Sequence, residues 1–212
     1  MRIYAVADIH GKPERMERIR RNIAAFRPHV LVVAGDITSF VSPARILSRI
    51  NALSVPVLAI RGNTDFKRVD HLTEQFPNIS SIHISRIVIH SIPFVGIGGT
   101  IPIPFHSKIH FNEASVLNRV EPWIDRKTVL VVHPPPRGIL DIAFERFHVG
   151  SSGLRRFIEK HQPCMVICGH VHECPGIATI AETTVVNCSM GRNNSGVLID
   201  HNPENEIKIT MI

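Results

Sequence analysis

Aromatic side chains are scarce in this sequence: Phe, Trp and Tyr make up 6% of its 212 residues. No stretch interleaves them with arginine, so a stacking platform for single-stranded nucleic acid is not indicated. Long apolar runs are missing as well, and none approaches the 18 or more residues of a membrane helix. Met1-Arg2-Ile3-Tyr4 is too short an opening to act as a secretory signal, so a cytoplasmic protein with no membrane partner is expected. Cysteine is limited to Cys164, Cys168, Cys174 and Cys188, gathered toward one end. That placement argues against a disulfide framework. Cys164 and Cys168, four apart in an expected strand, read as small buried apolar residues on one face. Repeats, low-complexity segments and linkers are not evident. Residues 1–212 are therefore expected to form a single domain, long enough to bury roughly 70% of its unfolded surface. Acids are in deficit: 24 Lys and Arg stand against 18 Asp and Glu, a formal net charge of +6. Such a field suits an anionic substrate; nucleic acid is compatible with it but otherwise unsupported.

What is present is one event repeated five times. Ile3 to Ala7 runs into Asp8, Ile9, His10 and Gly11. Val30–Ala34 runs into Gly35-Asp36, and Val57–Ile60 into Arg61-Gly62-Asn63-Thr64-Asp65. Val129–Val132 runs into His133, and Cys164–Cys168 into Gly169-His170-Val171-His172. Short apolar runs rich in β-branched residues read as buried strands. In open α/β sheets, ligands bind beyond the carboxyl ends of such strands. Asp8 and His10, two apart, would point the same way in an extended segment. Carboxylate and imidazole together suit borderline transition metals. A lone Asp-x-His is equally a turn acid beside a solvated histidine; five metal-capable strand ends make a constellation.

Along the chain, Pro13 opens a helix with Met16, Ile19, Ile23 and Phe26 on its apolar side. Ser42-Pro43 reads as the N-cap and first turn of a second helix reaching Asn51. This β-α-β-α-β order implies parallel, right-handed crossovers. Residues 79–99 hold short β-rich runs at hairpin spacing, at Ile82–Ile84, Arg86–Ile89 and Phe94–Gly98. Thr100–His110 is expected to be a loop. Helices follow over Asn112–Trp123 and Ser151–Lys160, then strands over Ile177–Ile180, Thr183–Cys188, Val197–Asp200 and Ile207–Ile212. Each β-α half thus finishes in antiparallel strands, which two face-to-face sheets with outer helices accommodate.

Asp8-x-His10, Gly35-Asp36, Gly62-Asn63-x-Asp65, His133 and Gly169-His170-x-His172, in this order, resemble the calcineurin-like metallophosphoesterase superfamily. His133-Pro134-Pro135, Gly138-x-Leu140-Asp141 and His148-Val149-Gly150-Ser151 resemble its small prokaryotic phosphoesterases. The resemblance implies a four-layer α/β-β/α sandwich, two mixed sheets flanked by helices, and a phosphohydrolase of mono- or diesters. It implies two divalent transition-metal ions, manganese first, with iron, zinc, cobalt or nickel as alternatives. Asp8, His10 and His172 would hold one ion, Asn63, His133 and His170 the other, and Asp36 would bridge them. A hydroxide shared by the ions would attack phosphorus. Asp65 would orient a neighbour.

Two positions depart from the pattern. Thr64 stands where many relatives carry a histidine that protonates the leaving oxygen, and His148 is the candidate to supply that proton instead. Cys188-Ser189 replaces a frequent Pro-Gly, which puts the local loop shape in doubt. Specificity would lie in loops holding Arg61, Arg137, His148 and Arg192, each equally readable as a surface residue. The expected substrate is a small phosphoester or nucleotide; a homo-oligomer is compatible. A nuclease-type phosphodiesterase and a catalytically silent binding module on the same fold are the competing readings.

Overall fold

Val30–Ala34 is buried along its whole length, which a strand achieves when both sheet faces are covered. The computed structural model shows what covers them, describing residues 1–39, 43–103, 106–191, 193–202 and 207–212. The first part of the chain forms β1 (Arg2–Val6), α1 (Pro13–Phe26), β2 (Val30–Ala34), α2 (Pro43–Asn51), β3 (Val57–Ile60), α3 (Arg68–Thr73) and β4 (Ile79–Ser81). The middle forms β5 (Ser85–Ile89), β6 (Ile92–Ile97), the short strands β7 (Ile101–Ile103) and β8 (His106–Lys108), then α4 (Glu113–Val120) and β9 (Val129–Val132). Two-residue strands β10 (Ile142–Ala143) and β11 (Phe147–His148) precede α5 (Ser152–His161) and β12 (Met165–Cys168). The chain closes with β13 (Gly176–Ile180), β14 (Thr183–Asn187), β15 (Val197–His201) and β16 (Ile207–Met211).

One six-stranded sheet runs β16-β15-β1-β2-β3-β4 and the other β13-β14-β12-β9-β6-β5. Strands β1 to β4 are mutually parallel, as are β6, β9, β12 and β14, with antiparallel strands at the margins. Strand alternation splits each strand between two cores. Ala5, Val32, Leu58 and Ile60 meet Phe94, Val129, Val131 and Ile167 between the sheets. Val6, Leu31 and Val33 pack under Ile19, Ile23 and Leu47 of the first helices, while Leu130, Val132 and Val166 pack under Leu117, Leu154 and Ile158. The result is the expected four-layer sandwich, helices outside and two mixed sheets within. Among the described residues no helix is long and apolar enough to cross a membrane.

Several local expectations need correction. The chain's last hairpin, β15–β16, returns to the first sheet beside β1 instead of finishing the second half. Ile82–Ile84 is not a strand; the pairing lies at Ile79–Ser81, and His83 makes an isolated bridge to Gly96. Thr100–His110 contains the β7–β8 ribbon, in which Ile101 faces Lys108. A three-residue strand is too short for periodicity to reveal. The Asn112–Trp123 helix is capped by Asn112 and tightens to a 3-10 turn over Glu121–Trp123, where Pro122 breaks the α pattern. Cys164 precedes β12 and packs against the inter-sheet core, while Cys168 belongs to the outer one, so the two do not share a face. Ser42, expected as a cap, and Arg192 lie outside the described residues; Pro43 does begin its helix.

Candidate metal centre

All five apolar strands deliver their terminal side chains to the carboxyl-end rim where the facing sheets meet. Asp8 and His10 follow β1, Asp36 follows β2, Asn63 follows β3, His133 follows β9, and His170 and His172 follow β12. The loops are stitched within each sheet and between them: Asp8 N–H donates to Gly35 O (3.0 Å) and Gly169 N–H to His133 O (2.9 Å) beside neighbouring strands, and Ala7 N–H to Cys188 O (3.1 Å) crosses from the first sheet to the second.

Asp8 and His10 do not converge through an extended segment. Both adopt left-handed backbone, φ 61° and 51°, as do Asp36 (51°) and His170 (72°). Such backbone costs a non-glycine residue roughly 1–2 kcal/mol. Four instances among seven candidate ligands mark a site where surrounding structure holds strain for a purpose. Glycine neighbours are needed for room. A Cβ on Gly35 would run into the His133 ring, and one on Gly62 into Asp36 Oδ1.

Ligand-capable atoms of Asp8, His10 and His172 lie within 4.8 Å of one another, as do those of Asp8, Asp36 and His133. Asp36 faces both sides: Oδ2 is 3.7 Å from His10 Nε2, and Oδ1 is 3.5 Å from His133 Nε2. Asp8 Oδ1 is 3.0 Å from His172 Nε2 and 3.9 Å from both His10 Nε2 and His133 Nε2. It is therefore as central as Asp36. Asn63 Oδ1 sits between His133 Nε2 (3.1 Å) and His170 Nδ1 (2.9 Å). The inner nitrogens are fixed from behind, because His133 Nδ1 bonds Ala34 O (2.8 Å) and His170 Nε2 meets Ser107 Oγ (3.1 Å).

Electrostatics follow from packing two carboxylates and four imidazoles together. Burial alone would raise Asp36, but His133 beside it and the Thr64 backbone N–H (2.8 Å) outweigh burial and hold it well below the usual range. Burial likewise opposes a charge on His133, yet Asp36 and Asp8 raise it to about 9. Burial, seconded by the neighbouring His133, lowers His170 to about 4. Burial also lowers His10, whereas contact with Asp8 raises His172.

Asp65 is a brace. Its carboxylate accepts from Ile37 N (3.0 Å), Thr38 N (2.8 Å), Thr38 Oγ1 (2.8 Å) and Gly62 N (2.9 Å), tying the Asp36 loop to the Asn63 loop. Thr64 Oγ1 donates to Thr38 O (2.6 Å), so its hydroxyl proton is committed. His148 stands apart from the cluster: its ring is 49% exposed and Nδ1 bonds buried Asp141 Oδ1 at 2.7 Å. No hydrogen bond or ion pair among the described residues joins it to the other seven. Three residues of the site were missed in the sequence. Ser189 Oγ donates to Asp8 Oδ2 (2.6 Å), Ser107 backs His170, and buried Arg15 donates to Asp8 O. Arg15 carried a signal, a cation on the helix that follows the first motif; Ser189 carried one too, its place in the departure from Pro-Gly, read as loop shape alone, and Ser107 carried none.

A profile of the calcineurin-like phosphoesterase family matches residues 1–174. An uncharacterised protein of Methanocaldococcus jannaschii is 35% identical over 202 residues, 89% of this chain and 88% of its own. Phosphodiesterase YfcE of Escherichia coli K12 is 30% identical over 86 residues, 36% of this chain and 46% of its own. The crystal structure of TT1561 of Thermus thermophilus superimposes with a TM-score of 0.72, covering 99% of this chain and 98% of that one, at 14% identity, which speaks for the fold alone. Over most of its length, in motif order and in architecture, the chain belongs to the calcineurin-like phosphoesterase family.

Proposed function

We propose that the protein is a phosphohydrolase of small phosphoesters that works with two divalent transition-metal ions. The observation that carries this reading is Asp8 Oδ1, a buried carboxylate oxygen with no hydrogen-bond partner among the described residues. His172 Nε2 approaches it at 3.0 Å without making one. A buried anionic oxygen that accepts no hydrogen bond and has only the half-exposed His172 ring at ion-pair distance is expensive unless a further cation meets it, and the surrounding ring nitrogens and Asn63 Oδ1 are the donors such a cation takes. Asp8, His10 and His172 would hold one ion, Asn63, His133 and His170 the other, and Asp36, with one oxygen toward each group, would serve both. Bound there, the ions supply Lewis-acid chemistry, neutralising phosphoryl charge and making water a nucleophile at neutral pH.

The chain's own part is positional. Asp65 keeps Asp36 and Asn63 in fixed relation, Ala34 O holds the His133 ring with Nε2 inward, and Ser189 turns Asp8. The His148–Asp141 pair is the candidate proton donor to the leaving oxygen: the carboxylate accepts from Nδ1–H and leaves Nε2, the nitrogen that would have to carry the transferred proton, without a partner among the described residues. The four thiols are free, which fits a reducing compartment, and the cytoplasm is the proposed location.

Asp36→Asn tests the reading. The variant should lose more bound metal than His10→Ala or Asn63→Ala, and its turnover should fall by at least about 10²-fold. Two full equivalents of metal with normal turnover would remove the bridging role.

A further inference from the structure

The strand that delivers Asn63 also borders a second concavity. Arg61 stands two residues before Asn63, so their Cα atoms are at most about 7.6 Å apart. Arg61 is one of the residues lining a cavity of about 470 Å³ between the ends of β3 and β6 and the helices α3 and α4. Arg61, Lys67 and Arg119 bring three cations to it, and Asp70 is the only carboxylate among the described lining residues. That carboxylate is already engaged, because Arg61 Nε donates to Asp70 Oδ2 at 2.8 Å. No acceptor for Arg61 Nη1 or Nη2 is found among the described residues, and a Cβ on Gly99 would crowd both.

Two half-buried histidines add donors. His83 Nδ1 accepts from Gly98 N–H (2.9 Å) and His110 Nδ1 accepts from Asn112 N–H (3.2 Å). An imidazole that accepts at Nδ1 keeps its proton on Nε2, so both rings carry a remaining N–H. Both line the cavity. With Arg61 and Asp70 offsetting each other, Lys67 and Arg119 leave an excess of two positive charges beside these N–H donors, a surface that favours an oxyanion.

We propose that this cavity binds a second phosphate carried by the leaving group, so that the preferred substrates are phosphoesters of already phosphorylated alcohols, nucleotides among them. The inference rests on the hydrolase reading and specifies its substrate. The scissile phosphate would sit at the seven-residue cluster, and the leaving group would reach past Arg61 with its own phosphate among Lys67, Arg119 and the two imidazoles.

Two substrates that differ in the second phosphate alone test it: adenosine 3′,5′-bisphosphate and adenosine 3′-phosphate. The wild-type protein should prefer the bisphosphate by about tenfold or more in kcat/KM, carried by KM. Lys67→Ala/Arg119→Ala, both at exposed positions, should bring that ratio to about one. An equal ratio in both proteins would overturn the proposal. If neither compound is hydrolysed, the hydrolase reading is decided by the wider set of mono- and diesters, and the cavity is judged separately by binding. The full chain, with and without zinc, is titrated with adenosine 5′-monophosphate while imidazole resonances are followed. Shifts at His83 and His110 that vanish in the double variant support the cavity as a phosphate site; no shift at either overturns it.

Discussion

His133 is wholly buried, with Nδ1 tied to a carbonyl and Nε2 facing two carboxylates. In chelator-stripped protein it therefore keeps a second proton up to about pH 9, against an ordinary value of 6.5. A folded-state value raised above the unfolded one stabilises fully below pH 6.5, and the contribution is lost as pH rises through about 9. Stripped protein should accordingly lose stability between these limits in thermal melts. A metal ion needs that same nitrogen deprotonated, so loading near pH 7.5 should release about one proton. Calorimetry in buffers of different ionisation enthalpy reads this directly, and buffer-independent heats would contradict it. Thr64 sets a second expectation. With its hydroxyl proton on Thr38 O and an alcohol's weak acidity, it cannot replace a histidine acid, a loss of about 10²–10⁴ for poor leaving groups. Across esters of graded leaving-group pKa, a steep fall in kcat/KM unchanged in His148→Ala means unassisted departure. A flat series that steepens in His148→Ala makes His148 the acid, and a flat series in both proteins removes the threonine argument. Metal-capable side chains at five strand ends were legible as a constellation, whereas the choice of seven of them as candidate ligands, Asn63 over Asp65 included, rested on the family resemblance. The contacts of Ser107 and Ser189 were not legible, since nothing local points a serine to a partner 63 or 181 residues away.

The parallel strands could be read because burial on both faces forces apolar runs, and the long helices because Met16, Ile19 and Ile23 follow helical spacing toward one core. Helix α3, six residues, and the ribbons β7–β8 and β10–β11 were missed because periodicity needs more length than they have. Register also failed at two places where it is set locally. Left-handed residues, not strand alternation, turn Asp8 and His10 together, and Cys164 lies outside the strand whose parity was assumed. The strand-to-turn junctions are thus the elements under tightest constraint. Gly62→Ala would place a methyl where Asp36 Oδ1 sits. It should destabilise the protein by about 1–3 kcal/mol in denaturant unfolding and reduce metal content, as overpacking does. Unchanged stability with full metal loading would show that the junction has slack.

At the scale of the molecule, the apolar core packs the two sheets together and the site adds polar contacts between them at one rim. Parallel strands from both sheets end there, Ser189 reaches Asp8 across the seam, and Asn63 lies between histidines of the opposite sheet. The return of β15–β16 to the first sheet could not be anticipated from order along the chain, because strand pairing between chain ends depends on which edge is open. Ions at this rim would tie the halves together, so binding should raise stability in proportion to occupancy. The central claim, a paired metal centre that hydrolyses phosphoesters, is tested most directly by titrating stripped protein with manganese while following hydrolysis of a phosphodiester. The account predicts no turnover in chelator, and turnover that reaches its plateau at two equivalents, alongside a rise in melting temperature. Full turnover in chelator, or saturation of binding at two equivalents without hydrolysis of any mono- or diester, would contradict it.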